Sequence, residues 1–504
     1  MHVNYPLSEY ISLLEKEDLI QASFIRPEDR PRLVRCLTCN SQQAGPDTLF
    51  ICKGVHFKKD YLVEAIARGA FLYICESPYE DVACSWIQVR NIRHAMAVLA
   101  LCFFDHPSSR LDIIGITGTK GKSTTAYFLK AILDEAFPTE CGILSTIENY
   151  DGVVREEAHL TTPETLDLQQ HLSHAVDSRL SHLIMEVSSQ ALKYERVYGT
   201  RFHIACFLNI GADHISPAEH PDFEDYFSSK LKIFAQSQIA CINHDAAFAD
   251  RIAEAARTAG CRLVTFGSAP ECDVYCRDIE KRDSRTFFTV QTAAWTHTFE
   301  LSMPGLFNVE NALCAIAAAL VLNIAPQDIA HGLLRSHAAG RKELYTSRNG
   351  HVTVIVDYAH NSMSFEALYR SVSVEHPDKK IVTVFGCPGG KALLRRHDLG
   401  LSAGRHSDFV IITEEDTGDE PFAQIADAIA AAVRTGGSAY TVIENRGQAI
   451  RSAILEHGEN SVILITGKGT EAYQKRGAIF VPEPSDVDYA KQYLAEYDRF
   501  HPES

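Results

Sequence analysis

The stretch Gly118-Thr119-Lys120-Gly121-Lys122-Ser123-Thr124 constrains the fold more than any other part of the chain. It follows the apolar run LDIIGIT, and the apolar residues after it (Phe128, Leu129, Ile132, Leu133 and Ala136) recur at spacings of three and four. That order predicts a strand, a Gly-rich turn and an amphipathic helix. Backbone N–H groups and a helix N-terminus converge at such a turn, which favours a polyphosphate. In that setting Lys122 reaches the β- and γ-phosphates of ATP and the Ser123 hydroxyl is a ligand for Mg²⁺. The match to the general phosphate-loop pattern is imperfect, because Ile116 stands where that pattern has glycine and Gly115 comes one place early.

Further apolar runs organise the rest into three α/β units. Residues 1–110 alternate short runs (TLFICKG, FLYICE) with helix-like segments and end at HPSSR. Residues 111–337 hold the phosphate loop, the runs HLIMEVSS and HIACFLNI, and an apolar helix over 311–322. Residues 338–504 open on HVTVIVDYAH and continue through IVTVFGCPGG, DFVIITEED and SVILITGKG. The longest apolar stretches, 95–104 and 312–322, are shorter than the roughly 18–20 residues that span a bilayer, so no membrane insertion is expected. The first residues, MHVNYPLSEY, have no basic flank and apolar signal core, and a cytoplasmic location is expected.

The formal charge of −17, from 48 basic and 65 acidic residues, argues against nucleic acid as a partner. Fourteen cysteines spread along a long chain read as reduced thiols, and Cys36-x-x-Cys39 has no second pair at zinc-ribbon spacing. Oxygen ligands for Mg²⁺ beyond Ser123 are available at the ends of the next two strands, in Glu186 and the pair Asp213-His214.

GITGTKGKSTT, LTTPET, LIMEVSSQAL, RVYGTRFHIACFLNIGADHI, EDYFSSK, GLFNVENALCA, GRKE, VDYAHN and TGKGTEAYQ occur in the order seen in the Mur ligases. From about residue 35 to about 480 the chain resembles that family, most closely the type that adds the third amino acid of the peptidoglycan stem. The resemblance implies a UDP-MurNAc-binding unit, a central ATPase and a Rossmann-like C-terminal unit. It also implies ATP-driven amide formation: a carboxylate of UDP-MurNAc-L-Ala-D-Glu takes the γ-phosphoryl group, and the amine of a free amino acid displaces phosphate. The implied magnesium shell is Ser123, Glu186, His214 and Lys230, the last as a carbamate. Asn308, Arg341, Asp357 and His360 match positions around ATP. Ser41, Thr161, Thr162, Ser188, Gln190 and Arg196 match positions that hold the UDP-MurNAc-dipeptide, although Asn40-Ser41-Gln42 departs from the family's Asp-Ser-Arg. A monomer is expected.

For the incoming amino acid, Arg396 matches the arginine that pairs with the α-carboxylate, with Arg395 the adjacent alternative. Diaminopimelate-adding members carry Asp-Asn-Pro-Arg, whose arginine holds the distal carboxylate. Here the stretch 413–421 is TEEDTGDEP, so a side-chain end would meet Glu415 and Asp416. Acids there favour a cation. Glu471 of TGKGTE matches the family residue that meets the side-chain ammonium, with Gly467 in the same stretch, and the resemblance together with the acids implies L-lysine. Ornithine, one methylene shorter, stays open, since a methylene discriminates by only about 1–3 kcal/mol. The competing readings are a folylpolyglutamate-synthase-like ligase and an ATP-binding switch that ligates nothing.

Overall fold

The computed structural model describes residues 4–54, 57–216, 219–282, 285–301, 306–336, 342–390 and 393–501. Among these residues no helix is long and apolar enough to cross a membrane.

Three sheets carry the chain. The first has five strands, Ile20–Phe24, Cys36–Thr38, Thr48–Ile51, Ala70–Cys75 and Ser85–Val89, parallel except for the first. Cys36 thus begins a strand, and Cys36 and Cys39 are free thiols. The apolar run near residue 100 forms the helix Ile92–Phe103, capped by the Asn91 side chain on the amides of Arg93 and His94.

The second sheet has eleven strands. At its centre Asp112–Thr117 lies between His182–Glu186 and Phe202–Phe207, both parallel to it. These central strands are near-continuous apolar runs, as burial on both faces requires. Ile113, Ile114 and Ile116 are fully buried, and the helix Lys122–Ala136 packs Phe128, Leu129, Ile132 and Leu133 into the same core. The helix Leu306–Val321 lies beside it on that face, and the helices Thr165–Asp177, Phe223–Leu231 and Ala249–Thr258 cover the other. Antiparallel strands close both edges: Val274–Arg282, Arg285–Gln291 and Thr296–Leu301 on one side, Glu148–Tyr150 and Arg155–Glu157 on the other.

The third sheet has six strands, Glu343–Thr346 antiparallel at one edge and Val352–Asp357, Ser461–Thr466, Lys380–Phe385, Phe409–Ile412 and Ala439–Val442 parallel. A hairpin, Tyr473–Arg476 with Ile479–Pro482, projects from it toward the second sheet's unit, where Phe480 stacks on His159 at 6.1 Å between ring centroids. In each of the two larger sheets the carboxyl ends of the parallel strands feed the same cleft, which is where open α/β sheets bind ligands.

One packing contact tests this arrangement. The helices Leu394–His406 and Phe422–Gly436 cross so closely that a Cβ on Gly404 would lie 2.4 Å from the Val433 carbonyl oxygen and 2.9 Å from the Gly436 Cα. Neither neighbour is a side-chain end that can turn away. Gly404→Ala is therefore expected to cost about 1–3 kcal/mol by overpacking, read as a lowered urea midpoint for the C-terminal unit. An unchanged midpoint would show that the helices separate without cost.

Candidate active site

A cavity of about 470 Å³ lies between the second and third sheets. Its floor is the turn predicted from the sequence. Gly118 takes φ +155° and Gly121 φ +86°, and the helix begins at Lys122. Both glycines are required by space as well as by conformation. A Cβ on Gly118 would sit 2.9 Å from Leu208 Cβ, and one on Gly121 would sit 2.2 Å from Asn311 Oδ1. Asn209, at the end of the neighbouring strand, fixes the turn by accepting from the amides of Thr119 and Lys120 at 3.1 and 3.0 Å. Thr119, Lys120, Gly121, Lys122, Ser123 and Thr124 all line the cavity.

Two lysines converge on the turn. Lys122 Nζ and Lys230 Nζ each donate to the Gly118 carbonyl oxygen at 3.0 Å. Lys230 comes from the helix Phe223–Leu231 and is almost wholly buried, with its Nζ 4.8 Å from the Tyr226 ring centre. Burial, reinforced by the Lys122 charge, drives the Lys230 amine well below its ordinary pKa, against a smaller opposing pull from Asp213.

Around the turn stand the acids and imidazoles expected from the sequence. Glu186 ends its strand fully buried and accepts from the Thr146 amide at 3.0 Å and the Thr146 hydroxyl at 3.3 Å. His214, at φ +56°, bonds through Nδ1 to Glu219 Oε1 at 2.8 Å. Ser123, Glu186, His214 and Lys230 all line the one cavity. A hydroxyl, a carboxylate and an imidazole form a donor set compatible with Mg²⁺. Lys230 as an ammonium is only a donor. It joins that set if its nitrogen carries a carboxylate.

Asp213 does something else. Its Oδ1 accepts from Arg395 Nη2 at 2.9 Å and Nε at 3.2 Å, and its Oδ2 accepts from Asn361 Nδ2 at 2.9 Å. Arg395 and Asn361 belong to the third sheet's unit, so a buried ion pair joins the two walls of the cavity. Burial by itself would raise the Asp213 carboxyl; Arg395, His214 and His360 outweigh it and hold the group below the usual carboxylate range.

Beside Glu186, Thr162 Oγ1 donates to the Glu186 carbonyl oxygen at 2.9 Å and accepts from the Ser188 amide at 3.0 Å. Thr161 lies 3.2 Å from Thr146, and Gln190 donates to Glu219 at 3.3 Å. Arg196 pairs with Glu164 at 2.7 Å, and Glu164 also pairs with Lys53 of the first sheet's unit. These contacts hold the TTPET loop against both neighbouring strands. Asn308 also lines the cavity and accepts from Asn311 at 3.2 Å, and His360 Nδ1 lies 2.8 Å from the Tyr358 carbonyl oxygen. Asp357 accepts from the amides of Lys342 and Ala359, both at 2.7 Å.

The far wall is acidic with a lysine among the acids. Lys468 Nζ sits 3.0 Å from Asp416 Oδ1 and 2.6 Å from Glu471 Oε2, and Glu471 also accepts from the Tyr358 hydroxyl at 2.5 Å. Glu415 packs on Gly467, where φ is +109° and a Cβ would lie 2.2 Å from Glu415 Oε2. Burial pushes the Glu415 carboxyl up to about 7; Asp416 adds to the rise, and Arg446, Lys468 and Arg395 oppose it.

Among the expected residues that the structure describes, Gly118, Thr162, Ser41 and Arg396 do not line the cavity. Arg396 points its fork at Glu420, with two contacts of 2.7 Å, and does not line the cavity; Arg395 does. The physical reason is helical phase, since successive residues project about 100° apart. Ser41 is buried against Glu64 at 2.6 Å in the first unit, away from the cavity wall. Arg341 lies outside the described residues. The sequence reading missed Lys468, Asn209, Glu219 and Glu164. Lys468 was within reach, because it adjoins Gly467 in the quoted stretch; the others carry no spacing signal.

The comparisons with known proteins agree with this geometry. The profile of the Mur ligase middle domain matches residues 116–319, and that of the Mur ligase glutamate ligase domain matches residues 340–469. The UDP-N-acetylmuramoyl-L-alanyl-D-glutamate--L-lysine ligase of Enterococcus faecalis is 38% identical over 497 residues, covering 95% of this chain and 97% of that one. Its namesake from Streptococcus pyogenes is 37% identical, covering 91% and 92%. Among solved structures, a UDP-N-acetylmuramoyl-L-alanyl-D-glutamate--2,6-diaminopimelate ligase superposes with a TM-score of 0.65 at 22% identity, over all of both chains. Mycobacterium tuberculosis folylpolyglutamate synthase gives 0.60 at 15% identity, over 74% of this chain and 91% of that one. By the family models and relatives that it matches, the chain is an ATP-dependent ligase. The chain belongs to the Mur ligase family.

Removing one partner of a buried ion pair strands the other charge. Arg395→Ala is therefore expected to loosen the contact between the second and third units and enlarge the radius of gyration in small-angle X-ray scattering. A scattering curve identical to that of the unaltered chain would mean that Asp213–Arg395 does not hold the cleft.

Proposed function

We propose that the chain joins the D-Glu carboxylate of UDP-MurNAc-L-Ala-D-Glu to L-lysine while ATP becomes ADP and phosphate. The observation that carries this reading is the cavity itself, in which a phosphate-loop lysine and a cluster of three acids, Glu415, Asp416 and Glu471, line one cleft. The names of the most similar relatives point the same way.

Three anionic groups must meet in the first step: the carboxylate, the γ-phosphate and the leaving ADP. Positioning and charge neutralisation therefore matter more than covalent help from the protein. Lys122 supplies one positive charge at the turn, and the amides of the turn and first helical turn orient the phosphates. A carboxylate oxygen bonds to the γ-phosphorus as the bond to the β-phosphate oxygen breaks, giving acyl phosphate and ADP. Ser123, Glu186, His214 and a carbamylated Lys230 are the residues that would hold Mg²⁺, which neutralises phosphate charge when bound. The lowered basicity of Lys230 favours that carbamate, because an unprotonated amine is what captures carbon dioxide. Asn308, Asp357 and His360 are placed to meet the nucleotide, with Arg341 assigned there from the family pattern. Thr161, Thr162, Ser188, Gln190 and Arg196 are placed to hold the muramoyl dipeptide, and Ser41 to meet the uridine end.

The amino acid enters from the third unit. Arg395, on the cavity wall, is better placed than Arg396 for its α-carboxylate. Glu415, Asp416 and Glu471 favour a cationic side-chain end, with Gly467 leaving room for Glu415. The free α-amine attacks the acyl carbon, loses a proton and expels phosphate. Closure of the cleft excludes water from the acyl phosphate. All walls of the cavity come from one chain, so the reaction needs no second copy. Its nucleotide substrates place it in the cytoplasm.

Phosphate release should require both UDP-MurNAc-dipeptide and an amino acid, with lysine best in a panel of the standard amino acids plus ornithine and diaminopimelate. Lys122→Ala should abolish product while circular dichroism stays unchanged. ATP turnover indifferent to either substrate, or product formed by Lys122→Ala, would refute the assignment.

Glu415 sets the pH response. Below about 7 it is protonated and offers no charge; above, it is an anion and attracts the ammonium. The KM for lysine should fall as pH rises from 6 to 8, by several-fold, and Glu415→Gln should flatten that change. A pH profile of KM unaltered by the substitution would remove Glu415 from side-chain recognition.

A further inference from the structure

Asp151, His171 and His174 converge outside the cavity. His171 and His174 lie three residues apart on the helix Thr165–Asp177 and so share a face. Asp151 follows the edge strand Glu148–Tyr150. Nδ1 of His171 and Nδ1 of His174 lie 2.7 and 2.9 Å from the same oxygen, Asp151 Oδ2. The three candidate donor atoms fall within 4.8 Å of one another. None of the three residues lines the cavity.

From this geometry we infer a transition-metal site of the zinc class, with two imidazole nitrogens and one carboxylate oxygen as protein ligands and one position open to water. The donor chemistry selects the metal: two imidazoles with a single carboxylate suit Zn²⁺ and its neighbours, whereas Mg²⁺ and Ca²⁺ need shells made mainly of oxygen. Metal–ligand bonds of about 2.0–2.2 Å in a tetrahedron set donor atoms about 3.3–3.5 Å apart. The rings need to withdraw from the carboxylate by only about half an ångström to reach that spacing.

The surroundings favour a cation. Asp151 is fully buried, and its other oxygen is already fixed by the amides of Val153 and Val154 at 2.9 and 2.7 Å, so the carboxylate is held in place before any metal arrives. Glu156 lies 3.8 Å from His171 Nε2. A carboxylate behind the second ring nitrogen is the usual outer partner of a metal-bound histidine, since it fixes the tautomer that leaves Nδ1 free to ligate. Asp167 stands one helical turn before His171 and adds a further negative charge. The His174 side chain is 24% exposed, which gives the ion a route in.

A metal there would tie the antiparallel edge of the second sheet to a helix that begins directly after the TTPET loop. The loop's substrate threonines would then rest on a helix pinned at both ends.

The test uses the full chain, stripped with a chelator and held in excess Mg²⁺ so that phosphate-site ligands are occupied. Zn²⁺ is titrated against a chromogenic chelator, and Co²⁺ is added separately for its visible spectrum. One equivalent is expected to bind, with cobalt ligand-field bands and no thiolate-to-cobalt charge-transfer band. His174→Ala should weaken Zn²⁺ binding by about tenfold or more. His214→Ala, which alters only the cavity, should leave it unchanged. If His174→Ala fails the circular-dichroism check, His174→Gln takes its place. Binding of equal strength in the His174 variant, no stoichiometric binding by the unaltered chain, or a thiolate band would each overturn the assignment.

Discussion

The Gly118 carbonyl oxygen is the point on which the site depends. Two lysines donate to it from different helices, Lys122 from the helix that the turn starts and Lys230 from one packed beneath it. Like charges this close in a buried place cannot both persist at little cost. The structure resolves the conflict by removing water from Lys230 and leaving Lys122 at the cavity. Lys122 stays at the turn facing the cavity, while burial lowers the basicity of Lys230. Had Gly118 carried a side chain, the turn could not approach Leu208, and neither contact would form.

Charge balance extends from that point through the whole cleft. The turn is positive, the opposite wall is negative, and the seam between the two larger sheets is itself an ion pair, Asp213 with Arg395. A second bridge, Lys53–Glu164–Arg196, ties the first unit to the TTPET loop. Both bridges touch loops that carry site residues, so the relative placement of the units and the shape of the site are one property. Lys468 among the acids keeps the far wall ordered; without it Asp416 and Glu471 would repel each other.

The sequence made the local chemistry legible and left the long-range pairing obscure. A glycine turn between an apolar strand and an amphipathic helix has one economical structure, and the predicted buried residues Phe128, Leu129, Ile132 and Leu133 are in the core. The sequence placed Glu186 and His214 near the phosphate loop because the carboxyl ends of strands in α/β sheets face one cleft, and both line the cavity. Arg395 and Arg396 could not be told apart from the sequence, because a family match fixes a neighbourhood to within a residue, whereas one step along a helix turns a side chain from the cavity, where Arg395 stands, to Glu420, where Arg396 points. Asn209 and Glu164 act through contacts across 89 and 111 positions of chain, where no periodicity operates. Asp151 illustrates the same limit: the two histidines declare themselves by spacing, but the carboxylate that receives them comes from another element altogether.

The cleft is assembled from sheets that each own a separate hydrophobic core, with no core residue shared between the second and third. Opening it breaks hydrogen bonds, ion pairs and the His159–Phe480 ring contact, without dividing either core. A small molecule wedged into the seam would therefore part the halves without loosening any sheet, and by binding only the folded chain it would raise the melting temperature. A melting curve alone would not show where it sits, while a method that senses the distance between the two halves would.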